Sequence, residues 1–356
     1  MEEKLMSKKK PAFPISELLH EYLVDYKRVS EIPMFYDDLL RFSGSVVVYD
    51  KNDIDTLWVR VYYTDSERLE IDLSLKKVYT ILYSDGNENN VKYLNVDAVD
   101  YCTFGNSKPF RVKVRNVLND NFTYFYVKKN DASRVYGLEL EHMLSPYNLN
   151  FLIYQDTLIE EHIAGIPGDV FIKDFLPKCT GPEKTQIAKE FVKFNERAMV
   201  RYLGDMRSYN YVIIPIHDFD QIVYNIRAID FDQQCYEGKL KVYRPQFFKE
   251  NYEMVKLVQE KLPESSIDQY KVEERSMIVK RFLSFEIRVK ELIHCMTNDT
   301  ISTEKNINLL VEQTFDLTSD VNFKHSKNMG ELLKHTLDYV RRNYEKPLTH
   351  FNHPIK

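Results

Sequence analysis

The stretch on which the reading of this chain turns is Gly204-Asp205-Met206-Arg207-Ser208-Tyr209-Asn210. It runs into the apolar segment Tyr211-Val212-Ile213-Ile214-Pro215-Ile216 and is followed by Ile229-Asp230-Phe231-Asp232. This pattern predicts a short loop entering a strand, then a turn over His217-Asp218-Phe219-Asp220. A second strand, Ile222 to Ile229, ends in an acidic cluster. Asp205 and Asn210 stand in the spacing D-x-x-x-x-N, with Arg207 two residues after the aspartate. Phosphoryl transfer from ATP needs groups of this kind: a carboxylate to orient the attacking hydroxyl, and an amide plus a second carboxylate to hold Mg²⁺. By itself the spacing also describes a polar turn, so the segments around it must be weighed with it.

Upstream, Tyr93 to Tyr101 and Phe110 to Val117 read as strands flanking Thr103-Phe104-Gly105-Asn106-Ser107-Lys108. Phe122 to Lys129 is a third strand ending in two lysines, which alternation places on opposite faces. Ser133 to Leu144 has helical spacing, with Val135, Leu138, Glu139, His142 and Met143 on one face. A carboxylate on that inward face needs a cation, which makes Glu139 the candidate partner of Lys128. Glu141 falls on the opposite side and is expected to be solvated. Asn150 to Tyr154 and Thr157 to Ile163 are two more strands, leading into Ala164-Gly165-Ile166-Pro167-Gly168-Asp169. Thr180-Gly181-Pro182-Glu183 starts a long amphipathic helix carrying Ile187, Phe191, Phe194, Met199 and Tyr202 to the Asp205 loop. From Pro245 onward the spacing is mostly helical.

In order and separation these segments resemble the protein-kinase-like superfamily over roughly residues 93–260. The resemblance implies a bilobal α+β fold. Asp205 would orient or deprotonate the acceptor hydroxyl, and Arg207 would sit near the transferring phosphate. Asn210 and Asp230 would bind Mg²⁺, with Asp232 as a reserve ligand or a solvated turn residue. Phe125-Tyr126-Val127-Lys128 resembles the V-A-I-K strand, so Lys128 with Glu139 would place the ATP phosphates. Gly105 would belong to the phosphate-covering loop. Backbone groups from Glu161 to Ile163 would meet the adenine at the hinge, where a strand has free amide and carbonyl groups. There are departures: Leu203-Gly204 replaces His-Arg or His-Gly, Asp232 stands where Asp-Phe-Gly has its glycine, and no Ala-Pro-Glu follows. They point away from a conventional protein kinase and toward an atypical or small-molecule kinase acting on a hydroxyl-bearing substrate. A catalytically silent kinase-like fold that binds nucleotide or a partner is the alternative, and an unrelated α+β binding protein is a third.

Composition narrows the field further. The 356 residues suffice for a two-lobed enzyme, and 29% charged with 44% hydrophobic residues is ordinary for a globular chain. A net charge of −5 gives no drive toward nucleic acid, and no apolar run approaches the length of a membrane span. Met1 to Lys10 is basic with no apolar signal core behind it, so an intracellular, cytoplasmic protein is expected. Cys102, Cys179, Cys235 and Cys295 are scattered and expected to be reduced thiols. Four regions are expected: an extension over residues 1–92, with a disordered lead over 1–14, an N-lobe over 93–163, a helical C-lobe over 164–346, and a tail over 347–356. Within the extension, residues 65–83 fit either a strand, by the alternation of Leu69, Ile71, Leu73 and Leu75, or a helix, by Ile71, Leu75, Val78 and Leu82.

Overall fold

Alternation of buried and part-exposed side chains along Phe110–Asn116 shows the logic of the first unit. Phe110, Val112 and Val114 are buried while Arg111, Lys113 and Arg115 face outward. The structure, a computed structural model, describes residues 10–84, 86–105, 107–219 and 221–345. Asp85, Asn106 and Asp220 of the expected turns, and the expected tail, lie outside the described residues. The chain divides into two units. The first comprises the described residues up to Asp131 with Leu149–His162, and the second Ala132–Asn148 with those from Ile163 on.

The first unit is built on a seven-stranded antiparallel sheet ordered β1-β2-β3-β4-β5-β7-β6. Its strands are β1 (Gly44–Tyr49), β2 (Asp55–Tyr62), β3 (Leu94–Cys102), β4 (Phe110–Asn116), β5 (Phe122–Lys129), β6 (Phe151–Tyr154) and β7 (Thr157–Glu161). Two helices belong to the same unit, α1 (Glu17–Asp25) and α2 (Asp65–Tyr83). The α2 segment resolves in favour of the helix: Ile71, Leu75 and Val78 are fully buried, while Leu69 and Leu73 of the strand alternative are exposed. Its buried face packs with Val96, Val112, Val114 and Phe125 in one apolar core. Burying each such side chain contributes about 1.5–3 kcal/mol.

Two expectations are corrected here. Residues 44–62 are not a separate extension, because β2 pairs with β3 and continues the sheet across residue 92. Residues 10–14 of the expected disordered lead are held in place, since Lys10 Nζ ion-pairs with Asp131 and the Phe13 amide donates to the same carboxylate.

The second unit begins with α3 (Ala132–Leu144) and contains a small antiparallel sheet ordered β10-β9-β8. These strands are β8 (Ile166–Pro167), β9 (Tyr211–Asp218) and β10 (Gln221–Ala228). Pro215 sits within β9 without loss, because β8 pairs only with Val212 and Ile213 and leaves that edge open. The helices are α4 (Gly168–Val170, one turn), α5 (Gly181–Val200), α6 (Tyr252–Lys261), α7 (Glu264–Ser284), α8 (Glu286–Asn298), α9 (Glu304–Thr318) and α10 (Met329–Asn343). A capping box starts α5: Thr180 N donates to Glu183 Oε2 at 2.7 Å, and Thr180 Oγ1 accepts from the Glu183 amide. Between α5 and its neighbours lie buried ion pairs, Arg197–Glu274 at 2.5 Å and Arg275–Glu196 at 3.1 Å. No helix among the described residues is long and apolar enough to cross a membrane. The fold is α+β, as the sequence led us to expect.

Candidate active site

The Asp205 loop follows α5 directly and is shaped by a left-handed residue. Asp205 has φ +59°, a region that aspartate enters more readily than most residues. The chain then folds back on itself, with the Arg207 amide donating to the Asp205 carbonyl at 2.8 Å and the Asn210 amide to the Arg207 carbonyl at 2.9 Å. Asn210 Nδ2 closes the loop by donating to the Asp205 carbonyl at 2.8 Å. The Asn210 carbonyl accepts from the Ile229 amide at 3.0 Å. One asparagine thus ties the loop to the end of β10, the residue before Asp230.

The surrounding backbone leaves this loop little room to move. Gly204 donates to the Gln233 carbonyl at 3.1 Å, and a Cβ there would meet that oxygen at 3.0 Å. At Gly168 a Cβ would lie 2.4 Å from the Ser208 carbonyl, so only glycine admits so close an approach to the loop. Asn251, fully buried, donates to the Met206 carbonyl at 2.9 Å and accepts from the Tyr211 hydroxyl at 2.9 Å.

The side chains form a network of alternating charge. Arg207 donates to Asp205 Oδ1 at 2.8 Å and to Glu250 Oε1 at 2.9 Å, with its guanidinium 5.0 Å from the Phe248 ring centre. Arg134, from the first turn of α3, donates through Nη2 to Asp230 Oδ1 at 3.0 Å and through Nε to Asp232 Oδ1 at 2.6 Å. The Asp232 amide also donates to Asp230 Oδ1, at 3.1 Å. Four carboxylates (Asp205, Asp230, Asp232, Glu250) are thus joined to two guanidiniums. Burial is the main cause that raises the Asp205 carboxyl above its ordinary value. The bond and charge of Arg207 oppose that rise, and the charges of Asp230 and Glu250 add to it.

Hard divalent cations take oxygen ligands and favour sites of net negative charge. With Asn210 Nδ2 committed to the loop, its amide oxygen is the atom left to act as a ligand. Glu250 Oε2 is buried with no hydrogen-bond partner among the described residues. Asp230 and the Asn210 amide oxygen are the oxygen donors that the expected Mg²⁺ would require. Asp230 and Asp232 would share it with Arg134. No group of three or more His, Cys, Asp or Glu residues able to hold a metal occurs among the described residues, and the expected set contains only two carboxylates and one amide.

Asp205, Arg207, Asn210, Asp230 and Asp232 thus lie in one network within the second unit. Several expectations need correction. Asp232 is not a solvated turn residue but a partner of buried Arg134, with a side chain only 16% exposed. Glu141, expected in solvent, is 1% exposed and pairs with Arg201 at 2.5 Å. The expected Lys128–Glu139 pairing gives way to two others, one in each unit. Lys128 Nζ meets Glu160 Oε2 at 2.6 Å, because β5 pairs with β7 and sets the two diagonally on one face. Glu139, fully buried, is held by Arg288 of α8 at 2.7 Å. The hinge expectation fails at Glu161: β7 lies between β5 and β6, and the Glu161 amide donates to the Asn150 carbonyl at 3.1 Å. Ile163 is buried, with a side chain typical of a core position. Gly105, at φ +84°, lies in the β3–β4 connection with open space where a Cβ would be.

The sequence reading did not single out Arg134 or Glu250. A signal for Arg134 was present in Gly137, a glycine in mid-helix whose added Cβ would meet the Phe231 Cβ at 2.9 Å. Such a glycine marks the helix face in close contact with the Asp230–Gln234 segment, and Arg134 is one turn earlier on that face. No protein-family model matches this sequence, and no curated protein matches it.

Proposed function

We propose that this protein is an ATP- and Mg²⁺-dependent phosphotransferase of the kinase-like kind, acting on a hydroxyl-bearing substrate. The observation that supports this reading best is the Asn210 bridge. It draws a left-handed, partly buried aspartate and the strand end carrying a second aspartate into one carboxylate cluster. A turn held only for its shape gains nothing from burying Asp205 beside Asp230 and Glu250, since each charge makes the others more costly.

In this reading the acceptor hydroxyl gives its proton to Asp205 as its oxygen bonds the γ-phosphorus, and the bridging oxygen leaves with ADP. Arg207 fixes the Asp205 rotamer through Oδ1, which leaves Oδ2 to face the hydroxyl. Asn210 holds the loop against the Asp230 strand end and offers its amide oxygen to the metal. Mg²⁺, when bound, would neutralise charge on the transferring phosphate. Raising the Asp205 carboxyl above its ordinary value brings it closer to the range useful for a general base.

A second reading, a silent kinase-like fold, is favoured by Arg134. This arginine pairs with Asp230 and Asp232 without any metal ion. The two readings separate on a pair of substitutions assayed for nucleotide binding and γ-phosphate transfer to the protein itself, a generic protein and pooled hydroxylated metabolites. Asp230→Asn is expected to lose Mg²⁺-dependent binding and transfer together. Asp205→Asn is expected to bind nucleotide nearly normally while turnover falls on the order of 10²–10⁴-fold. Wild type that binds nucleotide, transfers to nothing and matches Asp205→Asn would leave the silent fold as the answer. No Mg²⁺-dependent nucleotide binding by wild type would refute the phosphotransferase reading.

A further inference from the structure

Far along the chain from the Asp205 network, the loop before α10 and the first turns of that helix surround a cavity of about 540 Å³. Its wall carries Lys324, Lys327 and Lys334, with Ser326 and His335 deeper in, and no apolar side chain lines it. Ser326 Oγ and His335 Nδ1 are 2.8 Å apart, so the hydroxyl and the imidazole orient each other. Glu331 is the cavity's acidic residue, and its Oε2 accepts from the Lys327 amide at 2.6 Å. None of the three lysines has an ion-pair partner among the described residues, although the chain as a whole carries a net charge of −5. Lys324 is the most constrained of them, with Nζ standing 3.7 Å from the Phe315 ring centre.

Three ammonium groups share this cavity with a single carboxylate, that of Glu331, which leaves its wall with an excess of positive charge. Such a cluster is relieved by an anion more than by solvent alone. The α10 N-terminus lies beside the cavity and contributes its positive dipole end to the same place. The volume is that of a small-molecule site, and the lack of apolar lining excludes a hydrophobic ligand. A neighbouring cavity of about 430 Å³ shares Lys334 but has Phe282, Ile293 and Leu337 in its wall, so the polar character is particular to the first. Lysine is a compact point charge with three donors, suited to phosphate oxygens, and a phosphate concentrates charge and acceptors on one centre.

From this cluster we infer a binding site for a small polyanion bearing phosphate groups, held by Lys324, Lys327 and Lys334 over Ser326 and His335. The site does not depend on the phosphotransferase reading. Its residues take no part in the Asp205 network, and its ligand needs no divalent metal.

The test is titration calorimetry of the full chain with tripolyphosphate in EDTA at low salt, with sulfate and citrate as comparison anions. Expected results are saturable tripolyphosphate binding that weakens steeply as salt rises, and weaker binding of sulfate and citrate. The triple variant Lys324→Ala/Lys327→Ala/Lys334→Ala should bind tripolyphosphate at least tenfold more weakly. A charge-matched control, Lys239→Ala/Lys241→Ala/Lys305→Ala, removes three exposed lysines elsewhere in the second unit and should bind as wild type does. These side chains are exposed, so both variants are expected to melt with wild type, and Lys327→Gln alone serves if the triple variant does not fold. No binding by wild type at millimolar tripolyphosphate would overturn the proposal. So would equal weakening in the control variant, unchanged binding by the cavity variants, or citrate binding as tightly as tripolyphosphate.

Discussion

Replacing Arg134 by methionine tests the charge network at its most buried point. Methionine keeps most of the stem's packing and removes the guanidinium, so the change isolates the ion pairs. The Arg134 side chain is 2% exposed, whereas Asp230 is 36% and Asp232 16% exposed. Removing one partner of a fully buried pair costs about 3–5 kcal/mol, because the other charge is left stranded. Solvent reaches Asp230 and screens part of that cost, which puts the expected loss near the lower end, about 3 kcal/mol. For a unit of roughly 200 residues this is a fall of about 6–12 °C in Tm. Calorimetry is the assay, because a chain of two units need not unfold in one transition.

A magnesium arm makes the same experiment informative about function. With Arg134 gone, Asp230 and Asp232 lose their built-in cation, and 10 mM MgCl₂ should restore part of the lost stability in Arg134→Met. Wild type should gain less, because the arginine competes for the same oxygens. Sodium chloride of matched ionic strength is the control, since screening alone would act without regard to valence. In an Asp230→Asn/Asp232→Asn background the Arg134→Met change should cost less than in wild type, the signature of direct coupling. An Arg134→Met protein within about 0.5 kcal/mol of wild type would refute the pairing. Recovery by NaCl equal to that by MgCl₂ would refute the metal assignment.

Other outcomes follow from the same geometry. Lys128→Met should cost about 3–5 kcal/mol by stranding buried Glu160, while Lys129→Met, whose Asp37 partner is exposed, should cost under about 0.5 kcal/mol; equal losses in urea unfolding would mean that the β5 register is wrong. Asp205 has a folded-state pKa above its unfolded value, so the stability it contributes is present below the unfolded pKa and is lost as pH rises through the folded one. Asp205→Asn should therefore be more stable than wild type at neutral pH, with the gap closing as pH falls toward about 4, and a gap that widens on acidification would contradict the burial of that carboxyl. Gly137→Ala should cost about 1–3 kcal/mol by pushing α3 off Phe231 and Gln234, and a neutral effect in thermal melts would show that the contact is slack.

Where local rules were decisive, the sequence was legible. The Thr180–Glu183 capping box and the Ile187, Phe191, Phe194 spacing announce α5, and the Asn210 to Ile229 stretch announces a hairpin whose two strands are observed as β9 and β10. The α2 segment was ambiguous because Leu69 and Leu73 are apolar yet exposed, so composition alone could not distinguish a core position from a surface one. Pairings between distant segments were the unreadable part. Glu160 meets Lys128 only because β7 inserts between β5 and β6, a register that no local pattern encodes. Likewise β1 and β2 join the sheet through β2–β3 pairing, which crosses the α2 segment. Glu141 shows the limit of the helical wheel. On a helix with a residue packed all round it, a position opposite the apolar stripe is still interior, and an arginine from another helix meets it there.

The two arginines of the candidate site explain how four carboxylates can be gathered at all. Without them, Asp205, Asp230, Asp232 and Glu250 would repel one another in a partly buried space, and the loop would open to water. Arg207 and Arg134 divide the work: one steadies the Asp205–Glu250 side, the other the Asp230–Asp232 side, and Asn210 joins the two through backbone alone. Each arginine engages an aspartate through Oδ1. The arrangement therefore holds the four carboxylates in place within the fold. A divalent cation would meet a cluster already in place, and the cost of assembling its ligands would have been met during folding.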